Sequence, residues 1–126
     1  MKRLLTIVMV VLLCASLCAC SLSTSRIKSN LIKNNYSIVE VDQEKMAELN
    51  SELKYSYKGE GSIINAFYAV DNETNNSITV LEFQNKDDLV LMYKIAKETL
   101  NVGESVDLSG YILVFGYEEG VKAALK

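Results

Sequence analysis

Two β-type segments joined by a turn-forming cluster constrain the fold of this 126-residue chain more than any other feature. The first segment runs from Ile63 to Val70 and the second from Ser77 to Phe83, and both are rich in β-branched and aromatic side chains. Between them lies Asp-Asn-Glu-Thr-Asn-Asn at positions 71–76, residue types that favour tight turns. The pattern predicts an antiparallel hairpin.

Amphipathic helices are predicted on both sides of this hairpin. Asp42 offers a side-chain oxygen that can cap a helix from about Gln43 to Lys54. Asn85 can cap a second helix, in which apolar side chains recur every three or four positions. The expected core-facing residues are Met46, Leu49 and Leu53 in the first helix, and Leu89, Met92, Tyr93, Ala96 and Leu100 in the second.

Shorter elements complete the predicted order. A helix from Arg26 to about Asn35 precedes a β-branched strand at Ser37–Val41, and a strand at Tyr111–Tyr117 precedes a helix at Glu118–Lys126. The central β-α-β-β-α-β order is that of a ferredoxin-like split βαβ arrangement. We therefore expect an α+β domain with four antiparallel strands, two helices on one face of the sheet, and additional short N- and C-terminal helices.

An aromatic surface is expected on the uncovered face of such a sheet. Because side chains alternate along a strand, Tyr111, Phe115 and Tyr117 share one side of the last strand, and Tyr68 can join them from the long strand. Exposed together, these four side chains would form a binding face for a peptide, a glycan or a partner protein. The alternative is that they belong to the core or lie under the first or last helix.

The N-terminal segment has the three parts of a secretory signal. Lys2 and Arg3 are followed by an apolar stretch from Leu4 to Ala15 and by small and apolar residues up to Cys20. The final residues, Leu17-Cys18-Ala19-Cys20, resemble the lipobox of bacterial lipoproteins. The resemblance implies cleavage between Ala19 and Cys20, a diacylglycerol thioether on Cys20, and further acylation by a fatty acid such as palmitate.

This resemblance implies a protein held at a membrane, on the extracytoplasmic side, through the lipid on Cys20. One alternative is an ordinary secretory signal with a free Cys20 thiol. The other is an uncleaved transmembrane helix, since the 17 residues from Leu4 to Cys20 are at the short limit for spanning a bilayer of about 30 Å. The corresponding division of the chain is a signal peptide at 1–19, a lipidated residue and flexible tether at 20–29, and one α+β domain at 30–126.

Charge and composition narrow the function of the mature chain. Removing Lys2 and Arg3 leaves 11 basic side chains against 16 acidic ones, a formal net charge of −5, which argues against nucleic acid as a partner. The chain has no histidine, so Ser-His-Asp and Cys-His catalysis are excluded. Its cysteines are Cys14, Cys18 and Cys20, so a chain cleaved before Cys20 has no pair for an internal disulfide.

Acidic residues are the remaining candidates for catalysis or metal binding. Asp87 and Asp88 begin a predicted helix, where dipole and capping roles compete with a metal pair. Glu44, Glu48 and Glu52 form an i, i+4 row that is typical of a solvated helix face. We therefore expect no cofactor, no metal site and no enzymatic activity, and a lipoprotein with an interaction or accessory role toward an envelope protein or peptide. The alternatives are a peptide- or glycan-binding module and a carboxylate-dependent envelope enzyme.

Overall fold

A computed structural model describes residues 23–126, and all strands within them form one antiparallel sheet. The spatial order of the strands is β1-β2-β3-β5-β4. In chain order the elements are α1 (Thr24–Lys33), β1 (Tyr36–Glu40), α2 (Gln43–Ser56), β2 (Ile63–Asp71), β3 (Ser77–Phe83), α3 (Lys86–Thr99), β4 (Glu104–Ser109), β5 (Ile112–Tyr117) and α4 (Glu118–Ala124). The chain therefore has an α+β fold with five strands in the described residues.

The central hairpin is confirmed. Strands β2 and β3 pair antiparallel from Ile63 opposite Phe83 to Val70 opposite Ser77, with an irregularity between Ile63 and Asn65. In the turn, the backbone N–H of Asn75 donates to the carbonyl of Asp71, and Asn75 itself has a φ of 63°. Asparagine tolerates this left-handed conformation better than most residues, which explains the turn-forming composition of the segment.

The strand count and strand order differ from the ferredoxin-like expectation. Strand β4 was missing from the prediction, and it forms a hairpin with β5 in which Ser109 lies opposite Ile112. Strands β1 and β2, which flank α2, are antiparallel neighbours, whereas a βαβ unit has parallel strands around its helix. Local patterns specify strands and helices but not which strands pair, so the same order of elements is compatible with more than one topology.

Both faces of the sheet carry helices. One core contains Ile27 and Leu31 of α1 and Val121 of α4, packed on inward-facing residues such as Val80 and Val114. The other core contains Leu53 of α2 and Leu89 of α3, packed on the opposite side of the same strands. The expectation of one uncovered face is therefore wrong, because the terminal helices cover the face that the split βαβ arrangement would leave open.

Helix α4 lies very close to β3. A Cβ atom at Gly120 would lie 2.6 Å from Cγ2 of Ile78 and 3.0 Å from the hydroxyl oxygen of Tyr36. Only glycine permits this approach without displacing a neighbour. The N-terminal helix is fixed to the same layer, since the side-chain amide of Asn30 donates to the carbonyl of Ala124 at 3.0 Å.

Helix starts follow the capping residues of the sequence. Asp42 accepts a hydrogen bond from the backbone N–H of Lys45 at 2.7 Å, and Asn85 accepts one from that of Asp87 at 2.8 Å. Ser23 accepts one from the N–H of Arg26, so α1 begins at Thr24. Residues 24–29, which belong to the predicted tether at 20–29, are therefore helical. Within 23–126 no helix is both long and apolar enough to cross a bilayer.

Candidate functional site

Two of the four residues of the predicted aromatic face, Tyr68 and Phe115, lie in one row across the sheet. The strand register joins Val39 to Tyr68, Tyr68 to Thr79, Thr79 to Phe115 and Phe115 to Val106. This row lies on the face that carries α2 and α3. Phe115 is half-buried and packs against the core beneath those helices, while Tyr68 is half-buried and Val39 is 49% exposed. The row is thus partly covered at the β4 side and open at β1.

The other two predicted residues lie at opposite ends of β5. Tyr111 precedes the strand, in the turn after β4, and its carbonyl accepts the N–H of Phe83 at 2.9 Å. Tyr117 is the last residue of β5 and lies opposite Glu104. They are 51% and 38% exposed, respectively. The structure therefore brings Tyr68, Phe115 and Tyr117 to one region of the sheet and separates Tyr111 from them.

An apolar crevice lies beside this row. Its volume is about 110 Å³, which is smaller than the roughly 300–1,000 Å³ of a typical small-molecule site. Its lining comes from α2, the residue after it, β2, β3 and α3: Leu49, Glu52, Leu53, Tyr57, Ile63, Leu81 and Met92. Glu52 is the one ionisable carboxylate of this lining, so the crevice holds no pair of acids for general acid and base chemistry.

Asp88 is the buried charged group of the described residues. It occupies the first turn of α3 and is 2% exposed. Its two oxygens accept the backbone N–H of Glu60 at 2.8 Å, the backbone N–H of Ser62 at 3.0 Å, and the Ser62 hydroxyl at 2.6 Å. Asp88 therefore fixes the loop between α2 and β2, and Asp87 remains exposed beside it.

The hydrogen bonds decide the ionisation state of Asp88. Burial by itself would raise its pKa, but the Ser62 hydroxyl and the backbone N–H groups of Glu60, Ser62 and Gly61 hold the pKa below its ordinary value. The ionised carboxylate of Asp88 therefore has a structural role, which is to hold the loop at Glu60 and Ser62 against the start of α3. The metal-pair interpretation of Asp87 and Asp88 has no support from these contacts.

A second side chain completes the same loop. Asn50 of α2 accepts the backbone N–H of Ile63 at 2.8 Å and donates to its carbonyl at 3.0 Å, as a neighbouring strand would. Sequence reasoning missed the roles of Asn50 and Ser62, because their partners are distant in the chain. Gly59 lies against the same carboxylate, since a Cβ there would lie 2.8 Å from an oxygen of Asp88.

The end of α2 and the two residues after it carry two lysines and two tyrosines. Lys54, Tyr55, Tyr57 and Lys58 are all exposed, Tyr55 by 77% and Tyr57 by 39%. The Lys54 ammonium lies 5.7 Å from the centre of the Tyr55 ring. The acidic row Glu44, Glu48 and Glu52 on the same helix is also exposed, and residues 23–126 contain no group of three or more potential ligands that could hold a metal ion.

The lipobox-like residues lie outside the described part of the chain. Leu17, Cys18, Ala19 and Cys20 precede Ser23, the first residue that the structure describes. The cleavage and lipidation expected at Ala19 and Cys20 therefore rest on the sequence alone. Comparison of the chain with protein-family models, with curated proteins and with solved structures finds no match.

Proposed function

We propose that this chain is a bacterial lipoprotein, in which lipid on Cys20 holds one α+β domain at the extracytoplasmic side of a membrane in a non-enzymatic interaction or accessory role. The observation that carries the proposal is Leu17-Cys18-Ala19-Cys20 at the end of a basic and then apolar N-terminal segment. Two acyl chains give a durable anchor where a single chain binds only reversibly. The partner of the anchor is the bilayer itself.

The role of the domain is supported by how its ionisable groups are used. The buried carboxylate of Asp88 is occupied by the loop at Glu60 and Ser62. The crevice between α2 and α3 is small and apolar apart from Glu52. Neither feature provides the paired acids that hydrolysis by carboxylates requires. Both are compatible with a domain that acts by binding another molecule through its surface.

Mass spectrometry of protein extracted from the membranes of an expressing bacterium tests the anchor. The expected product begins at Cys20 and carries the mass of a diacylglycerol and a fatty acyl group. Cys20→Ala should abolish incorporation of labelled palmitate and, in any chain from which the signal has been cleaved, membrane retention, whereas the matched Cys18→Ala substitution should preserve both. A cleaved Cys20→Ala chain that stays with the membranes would show that lipid on this residue is not what holds the domain there.

A second candidate function is a peptide- or glycan-binding module that uses Tyr68, Tyr111, Phe115 and Tyr117. Partial exposure of the row at Val39 and Tyr68 favours it. Because Tyr111 lies at the other end of β5, the candidate face reduces to Tyr68, Phe115 and Tyr117. Titration of labelled protein with glycan fragments and with peptides should shift the resonances of this region and leave Tyr111 unchanged, and Tyr68→Ser should remove the response.

A further inference from the structure

Within residues 23–126 the sheet ends in two edge strands, β1 and β4, and β4 is protected. Ser109 lies opposite Ile112 across a two-residue turn, so Leu108 has its N–H directed away from β5. That N–H donates at 2.8 Å to the carboxylate of the neighbouring Asp107. A charged side chain that occupies an edge donor hinders the addition of another strand.

The other edge strand, β1, lacks this protection. Just before and just after it, the backbone groups of Asn35 and Val41 form hydrogen bonds to the β2–β3 turn and to β2. Because the direction of the backbone groups alternates along a strand, the even-numbered residues direct theirs away from β2. These residues are Tyr36, Ile38 and Glu40. None of the residues that the structure describes accepts a hydrogen bond from their three N–H groups.

Helix α1 supplies a countercharge for this open edge. The ammonium of Lys28 forms an ion pair with Glu40 and lies 5.1 Å from the centre of the Phe67 ring, so α1 lies over β1 and β2. Glu40 is the one carboxylate of β1. The open edge therefore carries paired charges, although the whole sequence has a net charge of −3.

Ile32 adds apolar surface beside the middle of the open edge. The side-chain amide of Asn30 donates to the carbonyl of the last α4 residue, and Ile32, about 200° further around the helix, lies on the side away from α4. A two-residue connection makes α1 run antiparallel to β1. One helical turn beyond the Lys28–Glu40 pair, about 6 Å, corresponds to nearly two strand residues, so Ile32 lies level with Ile38.

We propose that two copies of this chain pair antiparallel through β1 and join their five-stranded sheets into one. A two-fold contact requires a surface that is its own complement. With Ile38 opposite Ile38 of the second copy, Tyr36 lies opposite Glu40, and every outward-facing residue meets another. Ile32 and Val39, which are 61% and 49% exposed, lie close to the two-fold axis, where each approaches its counterpart.

Disulfide trapping suits this interface. Pairing along five residues gives a smaller contact than the roughly 800 Å² per partner of stable complexes, so association is reversible. A chain cleaved before Cys20 and lipidated there, as proposed above, contains no free thiol, because its other cysteines leave with the signal. An introduced cysteine is then the one reactive thiol of each copy.

Ile38→Cys should give a disulfide-linked dimer when the purified protein is treated with a mild oxidant. Directly opposed residues of this kind have Cα atoms about 5.5 Å apart, which a disulfide can bridge. The matched control is Val106→Cys, another half-buried position, in the middle of the protected edge β4. It should give about tenfold less dimer, and equal yields from the two variants would overturn the proposal.

Two exposed positions test the register without disturbing the core. Ser37 lies opposite Val39 of the second copy, with Cα atoms about 4.5 Å apart, whereas identical positions are offset by about 7–8 Å. A mixture of Ser37→Cys and Val39→Cys proteins should therefore crosslink, and either variant alone should do so far less. If the mixture yields no more dimer than the single variants, the proposed pairing is wrong.

A charge placed at the axis should separate the two copies. In the Ile38→Cys background, Val39→Lys should lower the dimer yield about tenfold, because two lysines then meet across the pair. The matched Val90→Lys, at a position of α3 that is 44% exposed, should leave the yield unchanged. Equal yields in these two variants would contradict pairing at β1.

Two further results separate this proposal from its alternatives. When the oxidation is done in cells, an Ile38→Cys adduct with a mass other than twice that of the chain would mean that another protein occupies the edge, which would overturn pairing of two copies. A disulfide dimer of the wild type would reveal a free Cys20 thiol and reject the lipid anchor. The yields of Ile38→Cys and Val106→Cys, compared above that background, still decide the pairing.

Discussion

Asp88 shows how much of this fold depends on a single side chain. Its carboxylate joins the first turn of α3 to the loop before β2, and the hydrogen bonds from Glu60 and Ser62 span 28 and 26 residues of sequence. The sequence indicates a capping or dipole role for an aspartate at this position, and Asp88 does lie in the first turn of α3. Its actual partners could not be predicted, because no local pattern indicates which loop will lie against a helix start.

Asp88→Asn should destabilise the protein by about 3 kcal/mol, since hydrogen bonds to a buried charged acceptor are lost and an amide N–H₂ faces backbone donors. Urea denaturation measures the change. The matched control is Asp87→Asn, at an exposed neighbour in the same helical turn, which should cost less than about 1 kcal/mol. If the two substitutions lowered the free energy of unfolding equally, the interaction with the helix dipole would by itself account for the contribution of Asp88 to stability.

The same carboxylate should make stability depend on pH. Because the folded state lowers the pKa of Asp88 below its ordinary value, its stabilising contribution is complete above the unfolded pKa, about 3.9, and is lost as pH falls through the folded pKa. The difference in unfolding free energy between wild type and Asp88→Asn should therefore shrink on acidification below about pH 4. A difference that stays constant down to acid pH would contradict this assignment.

At the scale of elements, the strands and helices with strong patterns were predictable and β4 was not. The hairpin of β2 and β3 and the capped helices α2 and α3 agree with their predictions within a few residues. Strand β4 has only Val106 and Leu108 as apolar residues and lies at the edge of the sheet. A usable signal was Gly110, whose φ of 59° in a two-residue turn is typical of a type II′ hairpin.

The packing of α4 on β3 gives a prediction about Gly120. Gly120→Ala should destabilise the protein by about 1–2 kcal/mol, because overpacking against Ile78 outweighs the gain in helix propensity. A double-mutant cycle measured by thermal or urea unfolding checks the cause. In an Ile78→Ala background, where Cγ2 is absent, the cost of Gly120→Ala should largely disappear. If Gly120→Ala destabilised the Ile78→Ala protein as much as the wild type, contact with Ile78 would not be the cause of the destabilisation.

At the scale of the whole molecule, one sheet separates two apolar cores. Ile27 belongs to the core under α1 and α4, and Ile63 to the core under α2 and α3. Two cores on opposite faces follow from the strand order and the terminal helices. The sequence identified the apolar faces of the helices. It could not show which face of the sheet each helix covers, because that depends on which strands pair with one another.

Ile27→Val and Ile63→Val should each cost about 1 kcal/mol. Because the two sites do not share a core, the double variant should lose their sum to within about 0.5 kcal/mol. Equilibrium unfolding of the three variants in urea measures this. A coupling of 1 kcal/mol or more would mean that the sheet transmits packing changes from one face to the other.

The hydrogen bond between the Asn30 side chain and the Ala124 carbonyl can form only after almost the whole chain has been synthesised. It connects positions 94 residues apart, and α4 supplies part of the cover over Ile27 and Leu31. At about 5–20 residues per second, the ribosome needs on the order of 10 s to make the intervening chain. For that interval the apolar side of α1 lacks its final cover, so the first of the described helices to be made is among the last to be enclosed.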